Sequence, residues 1–345
     1  MSFRSWVTII TLILLGLVVF FAWPQISHAW SLLGQINLWI LSILIPVQFF
    51  SYYAIGGMIF AYLRSKGNLK TTTHWEMTRM ALELNFVNHI MPSGGAAGFS
   101  YLGWVLGRHG VRPGRATMAQ IVRFVLAFLS FIAILVIAVI GLALDHQIDR
   151  VIIAISFALV FIATGGTIGM AYVIGSKPRL VAFSGWLTRT INNIVSKLTR
   201  GKNQQAVNLK TLESFFDELH QDYIEIRHDK RILIRPLVWA ILANLADVAL
   251  LSISFLALGV WVNPAILFVA FGASSIASIV SVTPGGAGVY EAIMIAFLAS
   301  AGVPADIAIA GTLVARVTLL FGTVVFGYLF YQLTILKYGK TPIQR

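Results

Sequence analysis

The stretch Ser278–Phe297 reads SIVSVTPGGAGVYEAIMIAF and joins a strongly apolar character to a break at its centre. Glu291 is the only charged residue between Asp247 and Asp306, so the region is apolar enough to lie in a membrane. Proline lacks a backbone N–H and glycine permits unusual dihedral angles, so PGGAG at 284–288 predicts an interrupted helix. Such a break is tolerated at membrane depth only where protein or a watery cavity surrounds it.

Composition gives the class of protein. Of 345 residues, 58% are hydrophobic and 11% are charged, which indicates a polytopic membrane protein rather than a soluble domain. No segment alternates strictly between apolar and polar residues as a membrane barrel would, so we predict an all-α architecture. Cysteine is absent, which excludes disulfides, thiolate metal sites and a cysteine nucleophile.

Six apolar segments are long enough to cross the hydrocarbon layer as helices. The predicted spans are 6–23, 36–62, 116–143, 151–175, 236–258 and 308–335. Two more apolar segments, 80–107 and 264–302, are interrupted by proline and glycine, and 176–235 is the one sizeable polar region.

The N-terminus is compatible with two interpretations. Arg4, an apolar run to Trp23 and the small residues near Ala29 resemble a signal peptide with a cleavage site. The apolar run is long for a signal peptide, so we favour an uncleaved first helix.

The positions of lysine and arginine predict the topology. If both interrupted segments are re-entrant hairpins, both termini and the polar region face the cytoplasm of the cell inner membrane, together with 22 of the 25 basic residues. Full crossings would destroy this asymmetry. The formal charge of +12 then reflects topology and attraction to anionic inner-leaflet lipid, and we predict no nucleic-acid partner.

An internal repeat supports this arrangement. Pro92 lies 192 residues before Pro284, and Arg123 lies 193 residues before Arg316. The hairpins enter from opposite sides, so we predict an inverted repeat within one transmembrane domain, with repeat 1 at about 36–143, a connector at about 176–235 and repeat 2 at about 236–335.

The half-helices that follow the two breaks point free N–H groups into the membrane, which makes an anion site plausible. The alternative is that small residues only let helices pack closely, as we expect for Gly103/Gly107 and Gly165/Gly169. The candidate substrate-binding residues at the breaks are Pro92, Gly94, Gly95, Pro284, Gly285, Gly286 and Gly288.

Intramembrane charges complete the candidate site, because they usually face a cavity or a partner. Arg316 contacts a ligand or Glu291, or else it forms a purely structural pair or snorkels; snorkelling is equally open for Arg123. Glu291 either caps its half-helix or serves proton coupling or a cationic head group. Asp247 is a candidate partner for an arginine.

Three polar residues precede the first break and could line the same cavity: Glu83, Asn85 and Asn88. His89 is isolated, so we expect a packed or hydrogen-bonded residue rather than a metal ligand. In the polar region, apolar residues at helical spacing around Trp186 predict an interfacial helix. We favour a solvated connector there over a regulatory docking element.

Three stretches resemble the signature regions of the lysylphosphatidylglycerol synthase transmembrane (flippase-like) family: NFVNHIMPSGGAAG, GVRPGRATMAQIVRF and VTPGGAGVYEAIMIAFLASAGVPADIAIAGTLVAR. The resemblance covers roughly 36–335. Many members have a Gly-Glu pair after the first proline, whereas Gly98 is followed here by Phe99. Only about ten residues follow the last predicted span, so the resemblance implies the translocating part without a soluble synthetase domain.

The sequence thus predicts about six transmembrane helices plus two re-entrant helical hairpins. It predicts a protein that moves a phospholipid, an aminoacyl-phospholipid being one candidate, or a lipid-linked anion between leaflets. We find no Walker loop, zinc motif or dinucleotide fingerprint, and we predict no cofactor, no metal and no catalytic residue. The alternatives are a membrane-embedded lipid-modifying transferase and a non-transporting scaffold. Homo-oligomerisation is possible.

Overall fold

The computed structural model describes residue 34 and residues 36–90, 96–144, 150–198, 209–281 and 283–338. The regular structure in these ranges is entirely helical. The helices are α1 (Leu38–Ser42), α2 (Leu44–Ser65), α3 (His74–Ile90), α4 (Ala96–Arg108), α5 (Pro113–Leu144), α6 (Arg150–Ile174), α7 (Lys177–Leu198), α8 (Leu209–His228), α9 (Ile234–Ala257), α10 (Pro264–Val280), α11 (Val289–Ser300) and α12 (Ala305–Tyr338).

Five helices of the described part are long and apolar enough to cross a membrane. They are Leu38–Ser65, Pro113–Leu144, Arg150–Ile174, Lys230–Ala257 and Ala305–Tyr338. Each matches one predicted span to within six residues at either end. The predicted span 6–23 lies outside the described residues. The protein is therefore an all-α polytopic membrane protein.

Both interrupted segments are built from two short helices. In the second, α10 and α11 flank a break that holds the 3-10 turn Pro284–Gly286. In the first, α3 begins at His74, six residues before the predicted start, because the preceding loop supplies a cap: Thr73 N donates to Glu76 Oε2 at 2.9 Å. The first break itself, 91–95, lies outside the described residues.

The buried apolar side chains form two clusters. One contains Met80 and Leu84 of α3 with Leu102 and Leu106 of α4, so it surrounds the first broken segment. The other contains residues of α10, α11 and the start of α12, with Phe268 and Leu298 fully buried in it. Each broken segment thus has its own apolar core.

Close helix approach uses different glycines from those predicted. A Cβ at Gly57 would lie 2.6 Å from the Trp239 ring, and one at Gly311 would lie 2.3 Å from the Phe255 ring, so α2–α9 and α9–α12 need the missing side chain. By contrast, Gly103, Gly107, Gly165 and Gly169 have open space beside them. Among the described residues these four glycines meet no neighbouring helix, so the close packing predicted for them is not found in that part of the chain.

The polar region is helical and docks onto the ends of the spans. Asp222 of α8 is 3% exposed and accepts hydrogen bonds from Arg115 and from the Tyr62 hydroxyl. Glu218 of the same helix accepts a hydrogen bond from Gly114 N at 3.1 Å. Helix α8 therefore ties the adjacent ends of α2 and α5 together.

Candidate functional site

The site is built around the break between α10 and α11. Gly285, Gly286 and Gly288 have φ angles of 59°, 71° and 87°, a region that favours glycine. A Cβ at Gly286 would lie 2.4 Å from the Ser278 Cβ, so the chain also needs glycine there for space. The sequence PGGAG thus produces the predicted end of one half-helix and the start of another.

Glu291 lies in the first turn of α11. Its Oε2 accepts a 2.6 Å hydrogen bond from Gly288 N, which satisfies one of the free N–H groups at the helix start. The predicted N-terminal cap is therefore present. The same carboxylate also has a second partner.

That partner is Arg316 of α12. Its Nε donates to Glu291 Oε1 at 2.8 Å, its Nη2 donates to the Gly285 carbonyl, and its Cζ lies 4.7 Å from the Tyr290 ring centroid. The arginine and glutamate side chains are 13% and 15% exposed. The predicted contact between Arg316 and Glu291 is confirmed, and the pair fixes α12 against the break.

A cavity of about 250 Å³ opens beside this pair. Four predicted site residues line it: Asn85, Asp247, Gly285 and Arg316. Its other polar lining comes from Gln48, Ser51, Tyr52, His89, Ser275, Ser278, Tyr290 and Thr323. The cavity thus carries a cation, a carboxylate and many hydroxyl and amide groups inside an otherwise apolar set of helices.

Asp247 faces this cavity without an arginine. Its Oδ1 accepts a 2.9 Å hydrogen bond from the Ser51 hydroxyl, and within the described residues it forms no ion pair. The predicted pairing of Asp247 with an arginine is wrong, because α9 places it opposite a serine of α2. Asp247 therefore adds to the cavity a carboxylate that is held by one hydroxyl group.

A hydrogen-bond cluster from α2 and α12 forms another part of the cavity wall. Gln48 Nε2 donates to the Leu319 carbonyl at 2.7 Å and to the Tyr52 hydroxyl at 3.1 Å. Tyr52 also hydrogen-bonds Thr323. Sequence reasoning missed these residues, since neutral polar groups on an apolar helix carry no sign of which face they occupy.

Only some of the polar residues near the end of α3 line the central cavity. Asn85 and His89 line the cavity, and His89 Nδ1 hydrogen-bonds the Asn85 carbonyl at 2.8 Å, as expected of a packed histidine. Asn88 lies outside the cavity lining and packs against Gly98, where a Cβ would come 2.1 Å from its Oδ1. Asn85 and His89 near the end of α3 thus reach the central cavity, whereas Asn88 packs against α4.

Glu83 lies away from this cavity. It is 1% exposed and accepts hydrogen bonds from the Tyr101 hydroxyl at 2.8 Å and the Thr334 hydroxyl at 2.7 Å, with Arg79 Nη2 at 3.9 Å. It lines a separate cavity of about 40 Å³. The prediction that it shares a cavity with Asn85 is wrong, because Glu83 faces α4 and the far end of α12.

Arg123 does not line the central cavity either. Its Cζ lies 4.5 Å from the Phe124 ring centroid, and its Nε is buried without a hydrogen-bond partner. Gln120, one turn earlier, donates to the Phe99 carbonyl at 3.2 Å. The remaining predicted residues of the first break, Pro92, Gly94 and Gly95, lie outside the described residues.

No group of three metal-binding side chains occurs in the described ranges. A guanidinium offers five N–H donors, of which Arg316 commits those on Nε and Nη2 named above. A planar cation with spare donors is well matched to phosphate or carboxylate.

Helices long and apolar enough to span a membrane surround a polar cavity, which defines a polytopic membrane protein. A family model described as "Lysylphosphatidylglycerol synthase TM region" matches residues 7–327, and the chain belongs to this family. It is also similar to a "UPF0104 membrane protein" of Methanothermobacter thermautotrophicus, with 22% identity over 264 residues, 71% of this chain and 75% of the relative. No solved structure matches the chain.

Proposed function

We propose that the protein translocates a phospholipid or a lipid-linked anion between the two leaflets of the cell inner membrane, an aminoacyl-phospholipid being one candidate. The observation that carries this is the polar cavity of about 250 Å³ beside Arg316. A buried charge is costly unless all its donors are satisfied, and Arg316 keeps N–H donors beyond those bound to Glu291 and Gly285, so the cavity is suited to a polar ligand. Membership of a family described by lysylphosphatidylglycerol synthesis supports a lipid.

The route follows from the chemistry of the lining. The lipid phosphate binds the free N–H donors of Arg316. The Asn85 amide offers a further donor, because only one of its two N–H groups is committed, to the Ala81 carbonyl. Glu291 holds the guanidinium in place and is a positioning residue in this scheme. Asp247 accepts a proton or a cationic part of the head group. The acyl chains stay in the bilayer.

The proposal includes the topology. The broken segments are re-entrant hairpins from opposite sides, the two halves form an inverted repeat, and both termini face the cytoplasm. The separate apolar core around each broken segment supports this division. The contact region of His89 with Gly285, where the two broken segments meet, is then the midpoint of the path.

The test is leaflet exchange in proteoliposomes. Fluorescent phosphatidylglycerol, phosphatidylethanolamine and lysyl-phosphatidylglycerol are reconstituted with wild type, Arg316→Gln and the control Arg189→Gln, an exposed arginine of α7. We expect wild type and the control to exchange at least one lipid faster than empty vesicles, and Arg316→Gln to lose the excess rate.

Two results would contradict the proposal. One is exchange no faster than in empty vesicles for every lipid, with a lipid-linked sugar and an imposed proton gradient also tried; new lipid species in the same vesicles would then indicate a transferase. The other is exchange at an unchanged rate in Arg316→Gln. That result would show that the lipid does not pass through the cavity beside Arg316.

A further inference from the structure

A second and larger cavity, of about 550 Å³, lies between α2, the start of α3 and the turn that leads into α9. Its lining shares no residue with the central cavity. It includes Arg64 near the end of one span, together with Arg231 and Arg235 near the start of another. The cavity therefore lies at the membrane surface, where lipid head groups are found.

The charge of this cavity is strongly positive. Three arginines line it against one carboxylate, that of Asp229, whose Oδ1 instead accepts a 3.0 Å hydrogen bond from the Arg231 backbone N–H. None of these three arginines forms an ion pair with a carboxylate in the described residues. Three guanidinium groups thus line one cavity with a single carboxylate, and none of them forms an ion pair with it in the described residues.

The loop before α3 positions one of the cations. Arg64 Nη2 donates to the Thr72 carbonyl at 2.5 Å, and Nη1 lies 3.4 Å from His74 Nε2. His74 Nδ1 is in turn 3.1 Å from the Tyr53 hydroxyl. Within the described residues Arg64 is held by a backbone carbonyl and an imidazole and forms no ion pair with a carboxylate, so its charge is not matched by a carboxylate of the chain.

Aromatic rings form the inner end. Tyr53 and Trp239 pack edge to face with ring centroids 5.1 Å apart, and Trp239 covers Gly57. Rings of this kind lie at the level of lipid head groups and glycerol in membrane proteins. A basic rim above an aromatic floor at the membrane surface is complementary to a phosphate attached to an apolar body.

We propose that this cavity binds a phosphate group, at the position of the head group of an anionic phospholipid in the leaflet that α2 ends in. Arg231 and Arg235 contact the phosphate oxygens, Arg64 completes the charge, and Trp239 lies against the glycerol part of the lipid. The site is separate from the central cavity, so it does not rest on the proposed translocation.

The experiment uses the full chain in a neutral detergent at fixed ionic strength. Binding is measured as the rise in the thermal unfolding midpoint with added phosphatidylglycerol, phosphatidylcholine or inorganic phosphate. The test variant is Arg231→Gln/Arg235→Gln. The control is Arg227→Gln/Lys230→Gln, which removes the same charge from neighbouring exposed residues outside the lining.

We expect the test variant to weaken phosphatidylglycerol binding at least about tenfold, because two charge-assisted contacts are lost, and the control to stay within about twofold. Protection by lipid assigns the phosphate to a head group, and equal protection by inorganic phosphate assigns it to a soluble anion. If test and control weaken binding equally, or neither does, the cavity is not the site.

A second variant tests the same site without relying on Arg231→Gln/Arg235→Gln, which could lose binding simply because it does not fold. Ala61→Phe places a ring in the cavity without changing charge. It should also lower affinity for phosphatidylglycerol about tenfold while the unfolding midpoint without lipid is maintained. Unchanged affinity in a well-folded Ala61→Phe protein would overturn the assignment.

Discussion

The guanidinium of Arg316 and the carboxylate of Glu291 form a 2.8 Å hydrogen-bonded ion pair although 25 residues separate them. The glutamate uses its other oxygen to cap α11 at Gly288, so one carboxylate joins a helix start to a neighbouring helix. The arginine in turn reaches the carbonyl of Gly285 inside the break. The ion pair therefore stabilises the backbone of the break, whose φ angles also require glycine.

The first prediction concerns this pair. Glu291→Gln or Arg316→Gln alone leaves a charge in a largely buried place, so each should destabilise the protein by about 2–4 kcal/mol. The double variant should cost less than the sum of the two, because no charge is left unpaired. Thermal unfolding in detergent measures the coupling, and strict additivity of the two losses would show that the pair contributes nothing.

The second prediction concerns the break. Gly286→Ala must adopt a φ near 71° and place a Cβ 2.4 Å from the Ser278 Cβ. Gly302→Ala meets the same kind of strain at a φ of 87° but has open space beside it. We expect a loss of about 1 kcal/mol for Gly302→Ala and at least about twice that for Gly286→Ala. Equal unfolding midpoints would mean that crowding at Ser278 is relieved by movement.

Much of the architecture could be predicted from the sequence because its signals are local. Apolar length sets the spans, and the residues Pro284, Gly285 and Gly286 mark the second break by their backbone chemistry. The Arg316–Glu291 contact followed from two charges inside otherwise apolar segments, since each needs a partner at that depth.

The cavity lining could not be predicted in the same way. Whether Ser51 or Tyr53 faces the central cavity depends on the rotation of α2 against α9, which tertiary packing decides. Glu83 shows the same limit: a buried carboxylate needs partners, but only the fold shows that Tyr101 and Thr334 provide them. Charge indicates that a contact exists, and packing decides with which residue.

A third prediction concerns the connector. Asp222 is almost fully buried and accepts hydrogen bonds from Arg115 and Tyr62. Asp222→Asn should therefore cost about 3 kcal/mol and raise hydrogen exchange throughout α8. The control is Asp217→Asn, whose partner Lys177 is exposed, and it should be nearly neutral. Similar exchange in both variants would show that α8 docks through its apolar face alone.

A fourth prediction concerns pH. The pKa of Glu225 lies below its ordinary value of 4.5, first because the Lys66 ammonium donates a hydrogen bond to the carboxylate. A lowered folded-state pKa favours the ionised form, so its stabilisation is complete above the unfolded-state pKa and is lost as pH falls through the folded-state value. The stability gap between wild type and Glu225→Gln should thus be constant near neutral pH and shrink below about pH 4.5.

Unfolding midpoints of both proteins across that pH range measure this gap. Lys66→Gln removes the same pair and provides the matched comparison, since its gap to wild type should shrink over the same range. The expected difference is small because the Glu225 side chain is 54% exposed. A gap that stays constant down to acid pH would exclude ionisation of Glu225 as its cause.

The last prediction separates the two intramembrane arginines. Arg316 has acceptors in Glu291 and Gly285, whereas the Nε of Arg123 is buried without one. Removing a buried group that has no partner leaves nothing unsatisfied, so Arg123→Met should leave the unfolding midpoint unchanged or raise it. Arg316→Met should lower the midpoint, because Glu291 then loses its cation. If Arg123 also serves a passing phosphate, Arg123→Met will slow leaflet exchange in the more stable protein. A loss of stability in Arg123→Met would instead indicate that its charge is neutralised within the resting fold.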